Sequence, residues 1–243
     1  MTNKIFTLLS MMILSTVNGF AQESLKDYYY PLGTKETVKI YKYVHTNNPE
    51  YIEYKKVTIN PKENTVLTES YSYNLWRYNS IKEKLNSQGS IITHYTDFYK
   101  YKSGDTLRVE TTITDNDVYK WKNDDTAYKY TLEYEDPRNG KTKFEKERIK
   151  IRLSKVNIGE TVYKTVKFLD QYSIYYRDQG RHIGYHNDTY YAKGVGIVKY
   201  VESRMVKENG EYTTIKNEFL LNEIISEKEF NTLVKNAKKT VTF

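Results

Sequence analysis

No cysteine occurs in these 243 residues, and proline (4) and glycine (11) are scarce. Without cysteine there is no disulfide framework, no thiol chemistry and no thioether-linked lipid anchor. Beyond residue 17 no run is apolar enough to cross a membrane as a helix, which needs about 20 such residues. No repeat of 20–50 residues shows itself, so a solenoid or propeller is not expected. A Gly-x-Ser-x-Gly elbow, a phosphate-binding glycine loop and an EF-hand pattern are all missing.

What is present begins with an address. Lys4 precedes an apolar stretch over residues 5–17, and Gly19-Phe20-Ala21 places small residues at the −3 and −1 positions before Gln22-Glu23. That is the pattern of a secretory signal peptide cut after Ala21. The expected division is residues 1–21 as signal peptide and 22–243 as a single β-rich domain of 222 residues. The whole chain carries a net charge of +7. Its lysines alternate with acids, as in Lys141-Thr-Lys143-Phe-Glu145-Lys146-Glu147-Arg148, which reads as a solvated strand face. Nucleic-acid binding needs a clustered positive footprint, so no nucleic acid is expected as a partner.

The dominant rhythm is period two, the signature of half-buried strands. Val38, Ile40 and Val44 share parity, as do Val57 and Ile59, and then Leu67, Tyr71 and Tyr73. Turn clusters separate the runs: Asn60–Asn64, Asn86–Gly89, Ser103–Asp105, Asp136–Gly140 and Asn209-Gly210. The two Asn-Gly pairs are the best hairpin signals, because a type I′ turn needs positive φ at both central residues. About ten strands result, and the spacing argues for an all-β antiparallel meander curled into a half-barrel or sandwich. One helix is expected near 227–238. Ser226-Glu-Lys-Glu229 is a capping box, and Phe230, Leu233, Val234 and Ala237 follow at helical spacing. A short helix over Leu75–Leu85 is the weaker alternative to a strand there. The aspartate-rich stretch Asp115–Asp125 reads as a long loop or a boundary between sheets.

Candidate chemistry is thin. His182 and His186 have helical zinc spacing, but residues four apart on an extended strand lie about 13 Å from each other. Asp115, Asp117, Asp124 and Asp125 cluster without the ligand pattern of a calcium loop. No metal, no cofactor and no catalytic residue is therefore assigned, and the chain is read as a non-enzyme. Tyrosine is the one extreme feature, with 26 residues. Tyr95, Tyr99 and Tyr101 share parity, as do Tyr128, Tyr130 and Tyr134. Rings on one strand face can form a platform for a sugar, lipid or peptide, so these six are the candidate ligand-binding residues.

The segment Asn187-Asp-Thr-Tyr190-Tyr191-Ala192-Lys193-Gly194-Val195-Gly196-Ile197-Val198-Lys199-Tyr200 resembles a late strand of exported Gram-negative half-barrel proteins, some similar to periplasmic lipoprotein carriers. The resemblance implies a periplasmic or surface location and a bend at Gly194 and Gly196. Together these readings describe a non-catalytic exported binding protein of the cell envelope, with a lipid, glycan or protein as partner. The alternatives are an interaction subunit of an envelope assembly, an outer-membrane β-barrel and a hydrolase without readable motif. Mass spectrometry of the exported protein should find Gln22 at the N-terminus, cyclised to pyroglutamate. An intact Met1 would contradict the address.

Overall fold

The period-two runs form strands almost throughout. In the computed structural model, which describes residues 23–100, 105–208 and 211–240, thirteen strands precede one helix. In chain order they are β1 (Thr37–His45), β2 (Ile52–Asn60), β3 (Thr65–Tyr71), β4 (Arg77–Leu85), β5 (Gly89–Lys100), β6 (Thr106–Glu110) and β7 (Thr112–Lys120). The second half contributes β8 (Tyr128–Asp136), β9 (Gly140–Ile158), β10 (Thr161–Tyr176), β11 (Arg181–Ala192), β12 (Gly196–Glu208) and β13 (Glu211–Ile225), followed by α1 (Glu227–Thr240).

The meander is antiparallel, but it does not stop at a half-barrel. β1 pairs with β13, and β4 pairs with β5 from Asn79↔Asp97 to Leu85↔Ser90. Those two joins close a barrel of twelve strands, with β6 as a spur beside the outer half of β5. The expectation of about ten strands in an open half-barrel or sandwich is thus corrected on both counts. Alternation reports which face a residue takes and carries no information on which strand lies beside it. Closure is favourable because it leaves no edge with unpaired backbone groups. The stretch Asp115–Asp125 is half strand: β7 runs through Lys120, and Thr111 breaks it from β6 while donating its hydroxyl to the Tyr95 carbonyl (3.2 Å). Leu75–Leu85 is a strand from Arg77 onward.

Turn chemistry follows the sequence. Gly140 takes φ +75° in the β8–β9 hairpin, and Asn64 takes φ +52° at the end of the β2–β3 turn. Asn209-Gly210 lies outside the described residues, as do the signal peptide and Tyr101, but β12 and β13 pair on either side of it. Gly196 has a second reason to be glycine. A Cβ there would sit 2.5 Å from the Tyr30 ring, besides the φ of +102°.

Tyr30 belongs to a stopper. A 3₁₀ turn over Leu25–Tyr28, capped by the Ser24 hydroxyl, lies across one end of the barrel. Leu25 N–H donates to the Trp121 carbonyl, Tyr119 hydroxyl to the Leu25 carbonyl, and Gly194 N–H to the Asp27 carbonyl. Tyr28, Tyr29 and Tyr30 are all buried, packed with Tyr41, Tyr43, Tyr119, Trp121, Phe168 and Tyr191. This layer is edge-to-face aromatic packing, with centroids 5.1–5.7 Å apart in the Tyr29–Tyr119–Trp121–Phe168 group.

The helix α1 packs outside the wall. Ser226 and Glu229 exchange the two capping-box bonds (2.7 and 3.3 Å). Phe230 is buried against Tyr54 and Tyr71, and Val234 joins them. Leu233, expected in the same stripe, is 39% exposed.

Burial raises the pKa of Tyr29, Tyr43, Tyr119, Tyr172 and Tyr200 well above the ordinary tyrosine value. The folded state therefore keeps protons that the unfolded chain loses near pH 10, and stability falls as pH rises beyond that point. Absorbance at 295 nm during alkaline titration should show an early exposed set. The buried set should appear only together with loss of near-ultraviolet dichroism. A single unperturbed transition near pH 10 would contradict the packing.

Candidate functional site

Halfway up the barrel the inner wall changes character. On β9, Lys146 and Arg148 share parity with Phe144; on β10, Asp170 lies between Phe168 and Tyr172 on the same face. Arg148 and Asp170 are 3% and 1% exposed. The guanidinium donates Nε to Asp170 Oδ1 (2.5 Å) and Nη2 to Oδ2 (2.8 Å), while Nη1 donates to the Tyr191 hydroxyl (3.1 Å). Its faces lie 5.1 Å from the Phe168 and Tyr191 ring centres. Thr189 hydroxyl (2.8 Å) and Lys146 Nζ (3.2 Å) complete the shell of Asp170. Burial opposes the Asp170 charge, but Arg148 and Lys146 outweigh it and hold the carboxyl well below the usual range. Burial also pushes Lys146 down to about 8.

Around this pair is a cavity of about 250 Å³. Tyr29 and Tyr30 of the stopper line it, together with residues of β2, β3, β4, β5, β8–β12. At roughly 30 Å³ per water, it has room for about eight waters or one molecule of monosaccharide or amino-acid size. Its lining is charged. Glu83 is buried, accepts from Tyr29 (2.8 Å) and Ser90 (2.5 Å), and is raised in pKa by burial. Glu53 accepts from Tyr200 (2.6 Å). Lys55 Nζ stands 4.8 Å above the Tyr200 ring and 5.6 Å above that of Tyr43. Burial lowers its pKa. Tyr172 and Tyr185 stack on each other at 4.5 Å and 5°.

Several lining atoms have no partner. Four buried side-chain polar atoms lack a hydrogen bond among the described residues, and three of them, Thr68 Oγ1, Asn79 Oδ1 and Asn187 Oδ1, belong to residues that line this cavity. Thr68 and Asn187 are 8% and 9% exposed. Leaving one such group without a partner costs about 1–3 kcal/mol, and their concentration beside one cavity marks a strongly polar stretch of its wall.

The six tyrosines chosen from sequence divide. Tyr95 and Tyr130 line the cavity, at 8% and 5% exposure. Tyr128 is buried on the same strand face as Tyr130, under the Lys120 ammonium, and its hydroxyl is the fourth unpartnered atom. Tyr99 and Tyr134 are half-buried towards the open end, where Tyr99 donates to Asp136 (2.8 Å). Beside them, burial raises Asp97 to about 6. Tyr101 lies outside the described residues. His182 and His186 sit on the one strand β11, with His182 stacked on Tyr175 at 4.3 Å.

The outer wall is charged as well. Residues of the opposite parity form Lys42–Glu223, Lys199–Glu218, Lys167–Asp188 and Lys143–Glu145 ion pairs at 2.5–3.1 Å across β1 and β9–β13. A lipid-facing wall needs an apolar band about 25 Å tall, and this one is interrupted by charge on strand after strand.

Fold and site together define a closed, tyrosine-rich β-barrel, stoppered at one end, with a charged interior of small-molecule size. No known family profile matches the chain, and no curated protein does. Among solved structures it is similar to a candidate lipoprotein from Parabacteroides distasonis, with a TM-score of 0.47 and 10% identity over 82% of this chain and 98% of that one. It is also similar to a candidate exported protein with a YmcC-like fold from Bacteroides fragilis, with a TM-score of 0.43 and 11% identity over 82% and 99%. Both likenesses are loose in fold and remote in sequence.

Asp170→Asn should destabilise the fold by about 3–5 kcal/mol in urea denaturation, because it strands the Arg148 charge in the interior. Replacing both partners by Met and Leu should cost less than either single change. Single-variant costs that simply add in the double variant would mean the pair does not act as a unit.

Proposed function

We propose that this is an exported, non-catalytic binding protein that holds one small polar molecule inside its barrel. The observation that carries the reading is one cavity of small-molecule size whose lining is charged and polar, with Lys55, Glu53 and Glu202 on its wall beside Thr68, Asn79 and Asn187, whose buried oxygens have no partner among the described residues. Of the lipid, glycan and peptide classes expected from sequence, a lipid chain fits worst. An acyl chain would desolvate Lys55, Glu53, Lys146 and Glu202 without offering any of them a hydrogen bond. Export rests on the signal-peptide pattern of residues 1–21. The charged outer wall argues against an outer-membrane barrel. Binding is favoured over hydrolysis because the best-placed carboxylates are engaged: Asp170 by Arg148, Glu83 by Tyr29 and Ser90, Glu53 by Tyr200. A second role, as an interaction subunit of an envelope assembly, is favoured by Met205 and Tyr212 on β12 and β13, which are 69% and 68% exposed.

A thermal-shift screen of polar metabolites, glycans, peptides and fatty acids on the exported chain tests the reading. A ligand at a hundred times its Kd contributes about 2.7 kcal/mol, or about 5–10 °C of Tm for a chain this size. Thr68→Val should raise the Tm of the free protein, since it removes a buried hydroxyl that has no partner, yet reduce that ligand shift. Response to fatty acids alone would overturn the reading.

A further inference from the structure

Two groups of opposite charge face the same cavity and do not meet. No hydrogen-bond acceptor lies within reach of Lys55 Nζ among the described residues; the rings of Tyr43 and Tyr200 lie against it, and the Glu53 and Glu202 carboxylates act on it across the cavity without bonding it. The Glu202 carboxylate has Arg204 at 3.7 Å as its nearest counter-charge, beyond hydrogen-bond range. Lys55 and Glu202 form no ion pair with each other, although both line the cavity. Arg148–Asp170 and Lys146–Asp170 are matched closely, whereas the cavity carboxylates Glu53 and Glu83 are held by hydroxyls. Among the described residues Lys55 is thus the cavity cation without an ion pair.

Neutral acceptors gather on the side of Glu202. Asn187 is its direct cross-strand neighbour, paired Asn187↔Glu202 between β11 and β12, and its Oδ1 is one of the unpartnered atoms. Lys55 lies opposite Ser70 in the β2–β3 register, and Ser70 opposite Asn79 in the β3–β4 register. The cavity thus offers a cation on the β2 side and a carboxylate with an amide oxygen on the β11–β12 side. A neutral polyol would satisfy the hydrogen bonds but leave both charges uncompensated. A simple anion would neutralise Lys55 while adding repulsion to Glu53 and Glu202, and a simple cation would do the reverse.

We infer that the molecule held in the barrel is a small zwitterion of the α-amino-acid type, its carboxylate on Lys55 and its ammonium on Glu202 and Asn187. This rests on the binding function proposed above and names its ligand class. The volume of about 250 Å³ suits one free amino acid. Each end of such a ligand forms a charge-assisted hydrogen bond, the stronger kind, in a setting that water screens poorly. The neighbouring Tyr172, Tyr185 and Tyr130 rings would flank its side chain.

Isothermal titration of the exported chain with L-alanine, L-serine and L-glutamine is the test. The N-acetyl derivative of each, which lacks the ammonium, and the amide of each, which lacks the carboxylate, serve as single-charge controls. At least one free amino acid should bind, with both of its controls at least tenfold weaker. Lys55→Met should remove the preference for the acid over its amide. Glu202→Gln should remove the preference for the free amine over its N-acetyl form. Lys55→Met breaks no hydrogen bond and Glu202→Gln loosens only the exposed Arg204, so both variants should keep the Tm of the parent, and the wild-type ligand series stands whatever the variants do. Binding of N-acetylglucosamine or glucose, untouched by Lys55→Met, with none of the amino acids bound, would overturn the zwitterion and leave the binding function standing. No binding by any of these probes, or by any compound of the wider screen, would overturn both.

Discussion

The Arg148–Asp170 pair is the constraint around which the rest of the interior is organised. Burying two charges costs several kcal/mol each unless geometry and further hydrogen bonds offset it. Here the offset is nearly complete: two charge-assisted bonds between the partners, a tyrosine hydroxyl on the guanidinium, and a threonine hydroxyl and an ammonium on the carboxylate. Those partners come from β9, β10 and β11, so the pair ties three successive strands at one level. It also sets the character of its surroundings, because an interior that holds one ion pair cannot close down to an aliphatic core around it. The walls nearby are built of tyrosine, and the aliphatic residues retreat to the stoppered end and to small clusters.

Tyrosine suits that task for a physical reason. Each ring brings a large apolar face for packing, and its hydroxyl reaches a polar partner at the far end. Tyr29 does both, packing among Tyr119 and Trp121 while its hydroxyl donates to Glu83. Tyr41 and Tyr43 pack inward and donate to the carbonyls of Val195 and Ile197 on β12 and the turn before it. A barrel lined with leucine would leave Glu83 and Glu53 without donors. The tyrosine abundance read from the sequence is therefore the composition of a wet-centred barrel rather than of a sheet coating.

Period two placed the strands and the faces well. Tyr128, Tyr130 and Tyr134 share the inner face of β8, and Ser226 with Glu229 starts the helix as the capping box dictates. Closure was not legible, because the β4–β5 and β1–β13 joins depend on register between strands. The charged residues of the cavity were missed for a different reason. Lys146 and Arg148 read as solvated because strand charges normally face water, and Asp170 does not stand out in the sequence. The signal that distinguishes them is local: Lys146 and Arg148 follow Phe144 at steps of two, Asp170 sits between Phe168 and Tyr172, and Glu202 follows Tyr200. A charge flanked at i±2 by aromatic rings shares their face, and that face is the interior. Asn187, between Tyr185 and Thr189, obeys the same rule. Thr68 and Lys55 carry no such flank, and only the closed barrel brings them across from β11 and β12.

Both walls of this barrel are polar, which fixes what the fold can do. Charge pairs such as Lys167–Asp188 keep the outside in water, and the inside excludes apolar cargo by the desolvation cost of its own charges. Only a volume closed at one end remains, floored by Tyr29 and Tyr30 and dominated by directional groups. In such a site selectivity arises from hydrogen bonds left unmade rather than from area. A molecule that lacks one required donor or acceptor leaves a buried partner unsatisfied, and rejection on that basis is far steeper than any pocket achieves against a missing methylene.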